Sequence, residues 1–133
     1  MNIKSLMITT IIVYIVMSIL GLGFEYFMGD QFASFNALKR DAAGLETHMH
    51  WMFLGYFLVT AVFCYLYAQN HEGKGWKEGL RFGLIIGLLF AAMDFTLYSF
   101  LPLNFTETLK MMGMDVVIYV AGGITASLVY KSA

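Results

Sequence analysis

The sequence predicts an all-α integral membrane protein: one domain, residues 1–133, folded as a four-helix transmembrane bundle with the N and C termini cytoplasmic. Three observations carry that expectation. Four apolar stretches approach the roughly 20 residues that a helix needs to cross the hydrocarbon core. Hydrophobic residues make up 59% of the chain and charged residues 13%, with a mean hydropathy of +0.71, whereas a soluble domain carries about 25% charge. The single proline, Pro102, leaves the apolar stretches uninterrupted.

The spans run from about Ile3 to Met28, Met49 to Ala68, Leu80 to Leu101 and Met112 to Tyr130. Lipid offers no partner to a free N–H or C=O, so each must be a helix. Lys4, Lys74, Lys77, Arg81 and Lys131 fall at one end of the bundle, and Lys39, Arg40 and Lys110 at the other. Positive charge favours the cytoplasmic side, which places both termini there. The first span shares Lys4, an apolar run and Gly21-Leu22-Gly23 with signal peptides and is expected to be an uncleaved anchor.

Between the first two spans, Gly29–Thr47 is the longest connection. Gly29-Asp30 and Ala42-Ala43-Gly44 suggest turns, and Phe32, Phe35 and Leu38 suit either a surface helix or an ordinary structured loop. The Gln69–Glu78 connection, with Gly73 and Gly75, reads as a tight hairpin. Thr60-Ala61 before Tyr65 and Thr125-Ala126 before Tyr130 are a trace of duplication.

Helices associate in lipid through small residues that let backbones approach. Gly79, Gly83, Gly87 and Ala91 keep a four-residue spacing in the third span, and Gly122 with Ala126 marks the fourth. This predicts close packing within the bundle, with a homodimer interface as the alternative.

Ionisable residues inside spans are costly and need compensation. Glu25, Asp94 and Asp115 qualify, and His48 and His50 open the second span at the same level. At about 100° per residue, Asp94 lies on the glycine face of the third span, with Tyr98 on the same side. Asp115 shares a face with Tyr119, Gly122 and Ala126, and Glu25 shares one with Tyr14, Ser18 and Gly21. Two residues apart, only one histidine can face inward; His50 is expected to do so.

Such a layer needs held protons, Lys39 or Arg40 folded in, or a bound cation. As metal ligands, His48, His50, Glu25, Asp94 and Asp115 suit Zn, Mn or Fe. However, no Glu-x-x-His pair of the di-iron type is present. Met28, Met49, Met52, Met93, Met111, Met112 and Met114 cluster near the same end, where thioethers with imidazole suit Cu(I). No cofactor is predicted beyond a possible metal ion. Trp51, Trp76, Tyr65, Tyr67 and Tyr130 are expected as interfacial anchors, and the lone Cys64 as a packing residue.

The net charge of −1 offers no basic patch for nucleic acid. No nucleophile elbow, phosphate loop or dinucleotide fingerprint occurs, so no enzyme is expected. The expected partners are the lipid bilayer and further membrane subunits, as a homo-oligomer or a larger complex. The expected function is that of an accessory or scaffold protein whose acidic and histidine layer fixes packing. The alternative is binding or transport of a cation, a proton or a small polar solute at that layer.

Glu78-Gly79-Leu80-Arg81-Phe82-Gly83-Leu84-Ile85-Ile86-Gly87-Leu88-Leu89 resembles small four-span bacterial membrane proteins of uncharacterised function. So do Leu54-Gly55-Tyr56 and Tyr65-Leu66-Tyr67-Ala68. The resemblance covers about half the chain. It implies a four-helix bundle in a bacterial cytoplasmic (inner) membrane and brings no known activity.

Overall fold

The computed structural model describes residues 1–132; Ala133 of the expected domain 1–133 lies outside them. Four long helices dominate: α1 (Ile3–Met28), α3 (Ala42–Gln69), α4 (Trp76–Phe100) and α5 (Phe105–Val129), with a short α2 (Ala33–Asn36) after a 3₁₀ turn at Gly29–Gln31. All four long helices are long and apolar enough to cross a membrane. The shortest have 25 residues, or about 38 Å at 1.5 Å per residue, against a hydrocarbon core about 30 Å thick. This is a multi-pass membrane protein, and Ile8, Ile11, Ile15 and Ile19 along α1 present an exposed apolar surface to lipid.

Three helices begin earlier than the expected spans, α4 by about one turn, at Trp76, and α3 and α5 by about two. Ala42-Ala43-Gly44 form the first turn of α3, because the Asp41 side chain accepts from the Gly44 N–H at 2.7 Å and caps it. Asn104 caps α5 in the same way through the N–H groups of Thr106 and Glu107, so α5 starts at Phe105, not near Met112. The connection after α1 is a structured loop. Asn36 Nδ2 donates to the Gly29 carbonyl at 2.7 Å, and the Ser34 N–H and hydroxyl both donate to Glu107.

The glycine stripe of α4 is occupied within the chain. A Cβ at Gly79 would overlap the Gly123 carbonyl, and one at Gly83 would overlap the Tyr119 carbonyl. One at Gly87 would come within 2.9 Å of the Val116 Cα. Backbone therefore meets backbone along most of α4 and α5, the closest pairing in the bundle. Ala91 and Ala126 are buried in the same sides of these helices, and Gly122 receives Met17 of α1.

Beyond that pair, α1 packs on α5 and on α3, while α3 and α4 keep their backbones apart despite their short connection and meet through Phe63 and Tyr67, whose rings lie 5.0 and 5.5 Å from Phe82. The expected tight hairpin is thus tight only in its loop, where Gly73 and Gly75 adopt positive φ of 74° and 79°. The core lies toward the termini end: Val13, Phe63, Cys64, Tyr67, Tyr119, Ala126 and Tyr130 pack together. Tyr67 and Tyr130 are core residues, not interfacial anchors, because both rings turn inward onto the loop residue His71. Tyr65, by contrast, is exposed, so the two Thr-Ala-Tyr runs do not occupy equivalent places. Toward the far end α3 stays against α1: the Tyr14 hydroxyl donates to the Phe53 carbonyl at 3.3 Å, and the Phe57 ring stands edge-on to the Tyr14 ring at 5.6 Å. From Leu45 to Leu58 every residue is exposed.

Candidate functional site

Asp94 and Asp115 are brought together. The glycine stripe turns Asp94 toward α5, and the α5 stripe turns Asp115 toward α4, leaving their carboxyl groups next to each other. Asp94 is 7% exposed and Asp115 is half-buried. Asp94 Oδ2 is buried with no donor. Its neighbour, as a carboxylate, offers only acceptor oxygens, so the contact is attractive only when a proton or a cation lies between the groups.

Two tyrosines lie near the pair, and neither hydroxyl hydrogen-bonds to it. Tyr119, one turn after Asp115, is buried and stands within electrostatic reach of Asp115 and Tyr56. Tyr56 approaches from α3 and lies within reach of Asp115 and Glu25. Tyr56 is the one residue of this neighbourhood that the sequence pattern does not single out, because its place depends on how α3 lies against the other helices.

The other residues of the expected layer lie elsewhere. Glu25 is 60% exposed and pairs with Lys39 Nζ at 2.7 Å, so the loop lysine supplies its compensation. His48 bonds through Nδ1 to the Gly44 carbonyl at 2.8 Å, inside its own helix turn. His50 is exposed and rests against Trp51 at 4.9 Å. The expected inward face of His50, shared with Leu54 and Phe57, is exposed, and only Phe57 of it meets another helix, edge-on to Tyr14 of α1. Tyr98 turns to Phe105, its ring centroid 5.5 Å away. The five residues considered as metal ligands therefore do not converge. Among the described residues no group of three or more His, Cys, Asp or Glu is placed to hold a metal ion. Of the methionines, Met49, Met52 and Met93 are exposed.

A second polar cluster lies at the termini end, and the sequence reading missed it. Glu78, 8% exposed, accepts from the backbone N–H groups of Glu72 at 2.9 Å and Lys74 at 2.8 Å. His71 Nδ1 stands 3.3 Å from Glu78 Oε1 and 3.2 Å from the Tyr67 hydroxyl. The Tyr130 ring packs edge-on to His71 at 5.1 Å, and its hydroxyl accepts from the Asn2 N–H at 3.3 Å. The cluster ties α1, α3, α4 and the end of α5 together. The available signal was the four-residue spacing of Tyr67 and His71 beside an acid that directly precedes the glycine stripe.

Fold and site together define a small multi-pass membrane protein with one buried carboxyl pair in its far half. No family model, curated protein or solved structure matches the chain.

Proposed function

We propose that this is a small non-enzymatic binding or transport protein of a bacterial cytoplasmic membrane, and that its working group is the Asp94–Asp115 pair, which holds a proton or a cation. The observation that carries the reading is the Asp94 carboxyl, buried beside a second carboxyl with one oxygen lacking a donor. Two acids in such a site share one proton or one cation, and exchange of the two occupants is the simplest chemistry open to them. The distribution of lysine and arginine supports cytoplasmic termini and puts the pair toward the external side.

The test is proton counting on purified protein in weakly buffered detergent solution, with an indicator dye, for wild type, Asp94→Asn and Asp115→Asn. The reading expects an exchangeable proton that disappears in either variant. An unchanged proton count in both variants would remove the pair from the function.

A second reading, an accessory subunit, is favoured by the fully exposed stretch from Leu45 to Leu58, which a span of another subunit or of a second copy would cover. Native mass spectrometry from a bilayer mimetic decides it: a strictly monomeric protein, copurifying with no other chain, speaks against that role.

A further inference from the structure

The start of α1 and the residues after α5 are clasped together at the packed end of the bundle. The Asn2 N–H donates to the Tyr130 hydroxyl at 3.3 Å, and the Lys131 N–H donates to Ser5 Oγ at 2.7 Å. Beside these bonds lies a cleft of about 290 Å³, lined by Asn2, Lys4, Ser5, Ile8, Val129 and Lys131. Two lysines thus border one small cleft. Among the described residues no carboxylate lines it, and neither Nζ has an ion-pair partner. Neutral donors are left over as well. Asn2 Oδ1 accepts from the Ser5 N–H at 3.1 Å, which leaves Nδ2 to donate, and Ser5 Oγ keeps its own proton while accepting from Lys131. Neither donor has a protein acceptor among the described residues.

An apolar row continues from the cleft. At about 100° per residue, Lys4, Ile8, Ile11, Ile15 and Ile19 fall within about 80° of one another around α1, and all five are exposed. From Ile8 to Ile19 the row runs about 16 Å at 1.5 Å per residue. That is close to half of a hydrocarbon core about 30 Å thick, the depth of one leaflet.

We propose that the cleft binds the phosphodiester of an anionic phospholipid, with Lys4 and Lys131 on its charge and an acyl chain along the isoleucine row. The site stands apart from the Asp94–Asp115 pair and does not rest on it. The lining fixes the sign of the occupant: two cations and two neutral donors suit phosphate oxygens. A zwitterionic headgroup would bring its own ammonium against the lysines, whereas an anionic one meets only attraction. The row decides between a lipid and a free phosphate, because it carries the cleft into the hydrocarbon region, where an acyl chain can follow and a hydrated ion cannot.

The experiment is native mass spectrometry of the full chain released from nanodiscs of equimolar phosphatidylglycerol and phosphatidylcholine with identical dioleoyl chains. Wild type is expected to retain phosphatidylglycerol over phosphatidylcholine by at least about tenfold. Lys4→Gln combined with Lys131→Gln, checked for an unchanged melting temperature, should abolish the preference. Lys77→Gln combined with Arg81→Gln takes the same charge from the same end of the bundle outside the cleft, and should keep it. Glycerol 3-phosphate in excess should leave the lipid in place. Equal retention of both lipids, a preference that survives Lys4→Gln with Lys131→Gln, or an equal loss in both double variants would overturn the proposal, the last by revealing attraction to a positive surface. Displacement by glycerol 3-phosphate would make the cleft a site for free phosphate and would overturn the lipid as its occupant.

Discussion

The two ends of this bundle are built on opposite plans. Near the termini, helices meet backbone to backbone, and the one buried acid, Glu78, has two N–H donors, a histidine and a tyrosine around it. At the far end α3 is exposed from Leu45 to Leu58 and rests on α1 through Tyr14, and the buried acid, Asp94, faces another acid and has an oxygen without a donor. A satisfied buried charge holds structure together, whereas an unsatisfied one stores a demand that a proton or ligand can meet. The difference supports the proposal that one end anchors and the other binds.

The sharpest way to break the comparison is to wedge the packed half apart. Gly83→Leu puts a side chain where the Tyr119 carbonyl lies, and backbone cannot step aside as a flexible side chain would. We expect a loss of about 3 kcal/mol or more, read as a lower melting temperature in detergent. Gly113→Leu, on α5 with nothing within 4 Å of the added Cβ, should stay within about 0.5 kcal/mol of wild type. If the two variants melt alike, the glycine stripe is not what joins α4 to α5.

Next in size is Glu78→Ala. It leaves the Glu72 and Lys74 N–H groups without their acceptor and His71 without its partner. The expected loss is about 2 kcal/mol, accompanied by faster amide exchange at Glu72 and Lys74. Unchanged exchange at those two amides would show that the loop is held by other means.

How legible this was in the sequence divides along the same line. The limits of the first span, the glycine stripe and the side on which Asp94 lies all follow from composition and a 100° period, because each is local to one helix. The pairing of Asp94 with Asp115 was also within reach, since both sit on small-residue stripes and such stripes seek each other in lipid. What was out of reach depends on how helices diverge. His50 looked inward only on the assumption that α3 is packed along its whole length, and Tyr67 and Tyr130 looked like interfacial anchors until the loop folded His71 between them. The early start of α3 was hidden for a smaller reason: Ala42-Ala43-Gly44 reads as a turn unless Asp41 is recognised as a cap.

Asp94→Asn probes the far half and should show a smaller effect of opposite sign to Glu78→Ala. The amide places an N–H donor next to Asp115 and satisfies the facing oxygens without a proton. Stability at neutral pH is expected to be equal or higher, by up to about 1 kcal/mol, in a thermal melt run beside wild type. A loss comparable to that of Glu78→Ala would mean that the acid pair is a structural fastening and that the two ends are alike after all.

The smallest effect concerns the surface of the packed end. Glu72 and Lys74 form an ion pair in the α3–α4 loop, and the hydrogen bond from Lys74, followed by its charge, holds the Glu72 carboxyl below the usual range for glutamate. A carboxyl lowered on folding adds stability above its ordinary titration range, and that stability is lost as the pH falls through the folded value. The pair is exposed and screened by water, so its share is slight. Lys74→Ala should therefore raise the Glu72 titration midpoint, followed by NMR of its side-chain carboxyl, while the melting temperature stays nearly constant. Should the variant melt well below wild type, the loop would owe its order to this surface pair, and Glu78 would lose its place as the group that fastens the packed end.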